Sequence, residues 1–383
     1  SVFSGGEAVF SALANGRRSI MGRFGKTQPG SPPMRPTAFR RLFFSLSAIA
    51  GLVALGGSVH AQAASGKLRI FVIDVEGGQS TLFVTPDHHS LLIDTGWPGF
   101  NGRDADRIAA AAKQAGISKI DTVLLTHYHT DHTGRVPQLV ARIPVGTFID
   151  HGPLREPGDK PTAEAYAGYQ KVLATGKYKH ITAKPGEVLP IEGMHVQVLT
   201  ADGNMIQHPL PGAGQPNPYC KVSETRKADQ TENARSVGSL ITFGKLRILD
   251  LGDLTWDKEM DLMCPDNCIG HVDILIVSHH GWNQSSSPAL VDAITPRVAI
   301  MDNGATKGGS KPTVATIRKI PGLEAEYQLH YSEEAGAGNP PEKFLANLHG
   351  PDTGYGMDLI ASPGGSFSVR NARTGTTTDY PAR

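Results

Sequence analysis

Cysteine is scarce in this chain, with three in 383 residues, at positions 220, 264 and 268. That excludes a fold held chiefly by disulfides, and no second ligand cluster lies near these thiols to make a cysteine metal site. Cys220 can pair with Cys264 or with Cys268; one thiol stays unpaired within the chain, and spacing does not say which. An excess of one charge is missing too, since the net charge is +1. What charge bias exists is local. Residues 1–63 hold seven basic residues (Arg17, Arg18, Arg23, Lys26, Arg35, Arg40, Arg41) against Glu7, which leaves about −5 for residues 64–383. That balance implies no basic surface for tight, extended nucleic-acid binding by the body, though it leaves room for a local basic groove. Long apolar runs are absent except for one, Leu42 to Gly57. At 16 residues it falls short of the ~20 that span a bilayer.

That run sits in a three-part frame. Met34 opens the basic stretch MRPTAFRR, the apolar run follows, and SVHAQA closes with the small-x-small pattern Ala61-Gln62-Ala63. This is the layout of a signal peptide over 34–63, cleaved after Ala63, and it predicts a periplasmic or secreted protein with no stable membrane span after cleavage. Arg40-Arg41-Leu42-Phe43 fits either a twin-arginine or an ordinary Sec signal. Residues 1–33, polar and rich in Gly, Ser and Pro, read as a disordered upstream extension. Residues 64–383 form the remaining domain.

Along that domain the pattern is strand-rich at first. KLRIFVIDV, STLFVTP and SLLIDTG, separated by short turns, predict an antiparallel series. RDADRIAAAAKQAG (103–116) predicts a helix stopped by Gly116. DTVLLT (121–126) is a strand, a helix follows near 136–142, and VGTFID (145–150) is another strand. Residues 203–231 read as a long surface loop. Then come a hairpin turning at Gly244-Lys245, a helix over about 256–263, the strand VDILIVS (272–278), a helix near 288–293, the strand VAIMDNG, a helix near 314–320 and a final hairpin. Strands first, then β–α alternation, twice over, predict an α/β fold of two packed sheets with helices outside.

The polar residues worth following stand where apolar strands end. Asp94 follows one, LLTHYHTDHTG carries His127, His129, Asp131 and His132 after a second, Asp253 follows a third, and His279 and His280 a fourth. Ligands from separate strand ends can converge on one point. Histidines and carboxylates without cysteine suit Zn²⁺, with Fe or Mn as alternatives. His127 and His129, two apart, can face one ion; Asp131 and His132 suit a second; Asp253 can bridge the two. Two ions so held activate water and polarise a substrate oxygen, so no serine or cysteine nucleophile is needed. Asp94 is expected behind the ligands, orienting them. Of the adjacent pair, His279 is favoured as the ligand because it stands directly at the strand end, with His280 the alternative. His151, His195 and His208 are expected to be structural. Lys307 and Lys311, in NGATKGGSKP, follow a strand end and are candidates for meeting an anionic substrate.

In this order the residues resemble the metallo-β-lactamase-fold hydrolases, whose hallmark is Asp, then HxHxDH, a histidine, a bridging Asp and a final His. The resemblance covers residues 64–383 and implies an αββα four-layer sandwich with a dinuclear site at one edge: His127 and His129 on the first metal, Asp131, His132 and His279 on the second, Asp253 bridging, and Asp131 and Asp253 as the catalytic carboxylates. VIDVEGGQSTLFV, ENARSVGSLITFGKLRILDLGD and SHHGWNQSSSP are similar to the branch that includes the hydrolase domain of the bacterial DNA-uptake channel protein (ComEC type). Two departures stand out. Gln79 occupies a place where the branch usually has an acid, and Asn233 stands nearest to where the superfamily has its third-motif histidine. An amide oxygen is a weaker ligand than imidazole, so the first metal is expected to be loosely held, or the enzyme to work with one ion.

The resulting expectation is an exported zinc hydrolase of small-molecule esters, phosphoesters or phosphodiesters first and β-lactams or lactones next. A diiron redox protein, or a metal- or partner-binding protein with weak catalysis, is the alternative of another class. Tyr128, Trp256 and His280 are the candidates for the leaving-group acid. Nothing in the sequence sets the oligomeric state.

Overall fold

Along Leu68–Val72, Leu68, Ile70 and Val72 point to one side and Phe71 to the other, and all four are buried. A strand apolar on both faces needs a layer on each side. The computed structural model, described here over residues 66–383, supplies both. The extension and the signal peptide expected from the sequence lie outside these residues.

The first sheet has nine strands, and its order explains where the site falls. Its centre is Leu68–Val72, flanked by Met357–Ala361, Phe367–Asn371 and Thr377–Tyr380 on one side and by Thr81–Val84 and Ser90–Ile93 on the other. From Ser90–Ile93 onward the pairing turns parallel, through Ile120–Leu124, Val145–Asp150 and Lys179–Thr182. The second nine-stranded sheet mirrors this. His195–Ala201, Gly238–Phe243 and Leu246–Asp250 pair antiparallel, and Leu246–Asp250, Ile274–Ile276, Val298–Met301, Ala325–His330 and Leu345–Asn347 run parallel. Parallel neighbours need crossovers, which the helices Arg103–Gln114, Lys160–Leu173, Trp256–Met263, Pro288–Ile294 and Lys311–Ile317 help to provide.

Three apolar layers result. The middle one lies between the sheets, with Ile70, Phe83 and Ile93 from the first meeting Val198, Ile241, Ile276 and Val298 from the second. One outer layer packs Ile108, Ala112, Leu139 and Tyr169 on the first sheet; the other packs Leu262, Leu290, Val291 and Val314 on the second. This is the αββα sandwich in residue terms. Parallel strands deliver all their C-terminal ends to one edge, where loops can share a crevice.

Local chemistry sets the helix ends. Arg103–Gln114 stops ahead of Gly116, which adopts φ 78°. Lys160–Leu173 was not read from the sequence; Asp159 caps it by accepting from the Thr162 amide, and Pro161 sits in its first turn. The helix expected near 314–320 starts earlier, at Lys311, with Pro312 in its first turn. Cys220 pairs with Cys264, which fastens the loop of residues 203–231 beside the end of helix Trp256–Met263 and leaves Cys268 free. Among the described residues no helix is long and apolar enough to cross a membrane.

Candidate metal centre

The segment after Ile120–Leu124 leaves its sheet as a bend and then a short helix, Thr130–Thr133. The bend turns His127 and His129 toward each other, with His127 Nε2 and His129 Nδ1 3.1 Å apart. The helix carries Asp131 and His132. From the second sheet, the turn after Leu246–Asp250 brings in Asp253, and the 3₁₀ turn Ser278–Gly281 brings in His279 and His280.

Two groups of ligating atoms form. Asp131, His132, Asp253 and His280 make one, and His127, His129 and Asp253 the other; within each, the ligating atoms lie within 4.8 Å of one another. Asp253 belongs to both. Its Oδ2 is 3.3 Å from His132 Nε2 and 3.8 Å from His127 Nε2, and its Oδ1 is 3.5 Å from His280 Nε2.

The histidine that joins Asp131, His132 and Asp253 is His280, where the strand-end argument favoured His279. The reason lies in the backbone. Both residues are left-handed (φ 56° and 52°), so side-chain directions no longer alternate as on a strand. His280 Nε2 turns to Asp131 Oδ2 at 3.1 Å and His132 Nε2 at 3.2 Å. His279 Nε2 faces Asp253 Oδ2 at 3.6 Å and Asn233 Nδ2 at 3.3 Å. Asn233 thus stands at the edge of the site, as its place in the sequence suggested.

Behind the cluster stand carboxylates that fix the rings. Asp94 accepts from the Thr126 amide (2.8 Å) and hydroxyl (2.6 Å) and pairs with His132 Nδ1 at 2.7 Å. Asp302 faces His280 Nδ1 at 3.2 Å, and Glu156 faces His129 Nε2 at 3.2 Å. Such partners select the tautomer and aim the free nitrogen at the ion. Only Asp94 was anticipated. Asp302 does follow a strand directly, which was its available signal, whereas Glu156 reaches in from a loop that carries none. His151 pairs with buried Glu232 at 2.8 Å, and His195 and His208 are exposed, so all three stand outside the cluster.

Electrostatics favour cations here. Burial opposes ionisation of Asp131, yet the Lys307 ammonium, with His132 and His280, holds its carboxyl well below the usual range. Asp253 is likewise held well below against burial, by His132, His280 and His279. Against burial, Asp253, Asp131 and Asp94 raise His132 well above its ordinary value. His280 is pushed up to about 10 against both burial and Lys307 by Asp253, Asp302 and Asp131. Burial, then the neighbouring His132, lowers His127, and burial brings His279 down to about 4. A carboxylate field that draws protons onto buried imidazoles also draws a divalent cation.

The residues fit such an ion by a separate test. Asp253 Oδ1 and Asn233 Oδ1 are buried acceptors without a hydrogen-bond partner. An orphaned buried acceptor costs about 1–3 kcal/mol, and a cation beside it removes that cost. The donor set, imidazole and carboxylate without thiolate, suits Zn²⁺, Mn²⁺ or Fe.

With that geometry in place, residues 74–221 match the family model of the metallo-beta-lactamase superfamily. Over those residues the chain is similar to the metallo-beta-lactamase superfamily. Competence protein ComA of Neisseria gonorrhoeae is 24% identical to it over 251 residues, 66% of this chain and 29% of that protein. ComE operon protein 3 of Bacillus subtilis (strain 168) is 27% identical over 260 residues, 63% and 29% of the two chains. Hydroxyacylglutathione hydrolase of Albidiferax ferrireducens is 32% identical over 119 residues, 31% of this chain and 40% of that one. The chain thus spans 29% of the length of those two competence proteins and 40% of that hydrolase. Among solved structures, the metallo-beta-lactamase fold protein YhfI from Bacillus subtilis matches 76% of this chain and 99% of its own length, at 13% identity and a TM-score of 0.43.

Further expectations change around the cluster. Tyr128 is buried and its hydroxyl donates to the Gly152 carbonyl; the Trp256 indole donates to the Glu224 carbonyl at 2.9 Å; His280 is part of the cluster. None of the three is a free leaving-group acid. Lys311 opens a helix, exposed, with its backbone amide on Glu334, and has no hydrogen bond or ion pair to the cluster. Lys307 does reach it: its ammonium donates to Asp131 Oδ2 and, at 2.6 Å, to the Gly77 carbonyl.

Proposed function

We propose that this protein is an exported hydrolase of phosphoesters, phosphodiesters included, that works with two divalent cations, zinc first among them. The observation that carries the reading is the pair of ligand groups that meet at Asp253. The export part rests on the three-part layout of residues 34–63. The phosphoester part rests on the resemblance of VIDVEGGQSTLFV, ENARSVGSLITFGKLRILDLGD and SHHGWNQSSSP to the ComEC-type branch, with which the similarity to the competence proteins agrees.

When bound, the cations supply an activated water and polarise the substrate oxygen. The chain's own residues make this workable. Asp94, Asp302 and Glu156 keep three imidazoles oriented, so ring nitrogens face inward without a search. Asp253 places one carboxylate between the two groups. Burial of Asp131, His132, Asp253 and His280 keeps bulk water from screening their charges. His127, His129 and Asp253, with Asn233 at the edge, would hold the first cation; Asp131, His132, His280 and Asp253 would hold the second.

Metal quantification on the purified protein, paired with a chromogenic panel, tests the reading. Two zinc per chain with turnover of bis(p-nitrophenyl) phosphate is the expected result. Bound metal without turnover of any ester, lactam or phosphoester would make it a binding protein, and iron with oxygen consumption would make it a redox protein. A carboxylic ester or lactone substrate is the second reading, favoured by the 32% identity to a hydroxyacylglutathione hydrolase. The same panel separates the two.

A further inference from the structure

Between the strand Val298–Met301 and the helix Lys311–Ile317 the chain passes over His280 in a tight loop. Gly309 donates its amide to the His280 carbonyl at 2.8 Å, and the Gly304 amide bonds the Lys307 carbonyl at 2.8 Å. Gly308 is left-handed (φ 76°), and a Cβ there would stand 2.1 Å from the His280 carbonyl oxygen. The close approach and the backbone conformation both require glycine. The loop is thus fastened to the ligand turn, and Lys307 is held at the cluster by this built conformation.

The ammonium has three N–H donors. Two are used, on the Gly77 carbonyl and on Asp131 Oδ2. The third has no acceptor among the described residues, and the side chain is 28% exposed, so the unused donor has a route to solvent. Trp97 stands on one side, its ring centre 5.2 Å from Nζ. An aromatic wall lowers the local dielectric around an ion pair and favours a cation by its ring face. Lys311, four residues on, has none of these features.

From this geometry we infer that Lys307, walled by Trp97, is the anion clamp of the site: it holds a non-bridging phosphoryl oxygen of the substrate beside the Asp131–His132–His280 group and so selects phosphate esters over neutral ones. The inference rests on the phosphoester reading of the same site. It makes Lys307 a binding residue and leaves the ligand sets as described.

The test uses the full chain, zinc-loaded, and phenyl phosphate as the probe. Calorimetric titration of the parent protein, of Lys307→Met and of Lys307→Arg is compared with the zinc content of each. Loss of one charged hydrogen bond predicts a dissociation constant for phenyl phosphate raised about tenfold or more in Lys307→Met, with partial recovery in Lys307→Arg and unchanged zinc content. Where turnover is measurable, KM for the phosphodiester rises more than kcat falls. Equal affinity in Lys307→Met overturns the clamp, as does a parent protein that does not bind phenyl phosphate. Zinc lost together with affinity also overturns it, because Lys307 would then be a counter-charge for Asp131. Turnover without a Lys307 effect sinks the clamp and spares the phosphoester reading; Lys307-dependent binding without turnover does the reverse.

Discussion

Asp253 serves two groups of ligands with one side chain, so its neighbours divide by which group they complete. His129 belongs to one group and is supported by Glu156. His129→Ala should remove most of the bound metal and the hydrolysis, whereas His195→Ala, on an exposed strand position, should leave both nearly intact; atomic absorption on the two purified variants decides. Unchanged metal in the His129 variant would refute the assignment. A sharper comparison separates the adjacent histidines. His280→Ala should lower metal content more than His279→Ala, because His280 faces Asp131, His132 and Asp253 while His279 faces Asp253 and an amide. The reverse order would move the second group onto His279. Much of this site was legible. HxHxDH after an apolar strand announces itself by ligand density, and Asp94 and Asp253 by following strands. The choice within His279-His280 was not legible, because it depends on two left-handed residues that no local composition signals. Asp302 and Glu156 escaped because a single carboxylate gains meaning only from the ring it touches.

Elements behaved by the same rule: periodicity and turn residues show, distant partners do not. The helix Trp256–Met263 was readable from its own pattern, but the task of Glu259 within it was not. That carboxylate is fully buried and accepts the Ser286 and Ser287 amides at 2.8 and 2.6 Å, fastening the segment after His280 to the second outer layer. Burial, only partly offset by those amides, pushes its pKa up to about 7. Between the ordinary value of 4.5 and about 7 the unfolded chain gives up this proton while the folded one keeps it. This group therefore makes stability fall as pH rises through that window, by an amount on the order of 3 kcal/mol. Urea denaturation at several pH values should show the slope flattened in Glu259→Gln; an identical slope would assign it elsewhere. The loop 203–231 offers a second element-scale test. Its disulfide closes 44 residues, so replacing both Cys220 and Cys264 by serine should cost about 2–4 kcal/mol and expose the loop to proteolysis. A variant as stable and as resistant as the parent would show that the packing of Arg226 over Trp256 already holds the loop.

At the scale of the whole molecule, the order of strands was only partly readable. Two strand-then-helix passages suggested two sheets, and the buried faces of both bear that out. Which strands are neighbours is set by pairings such as Leu68–Val72 with Met357–Ala361, almost three hundred residues apart, and no local pattern encodes that. Metal removal should act on the molecule as a whole. A cation present at a thousandfold its dissociation constant adds about 4 kcal/mol to folding, so a chelator should lower the melting temperature and restored zinc should raise it again. A melting temperature indifferent to chelator would mean the ions contribute nothing to the fold. One more consequence comes from where the ligands originate. His127 to His132 ride on one sheet, and Asp253 and His280 ride on the other. An ion held by both works as a caliper across the sandwich, and its coordination spectrum is a measure of sheet spacing. With cobalt in place of zinc, truncating Val298 or Ile241 in the middle layer should shift the absorption bands of an ion that neither residue touches.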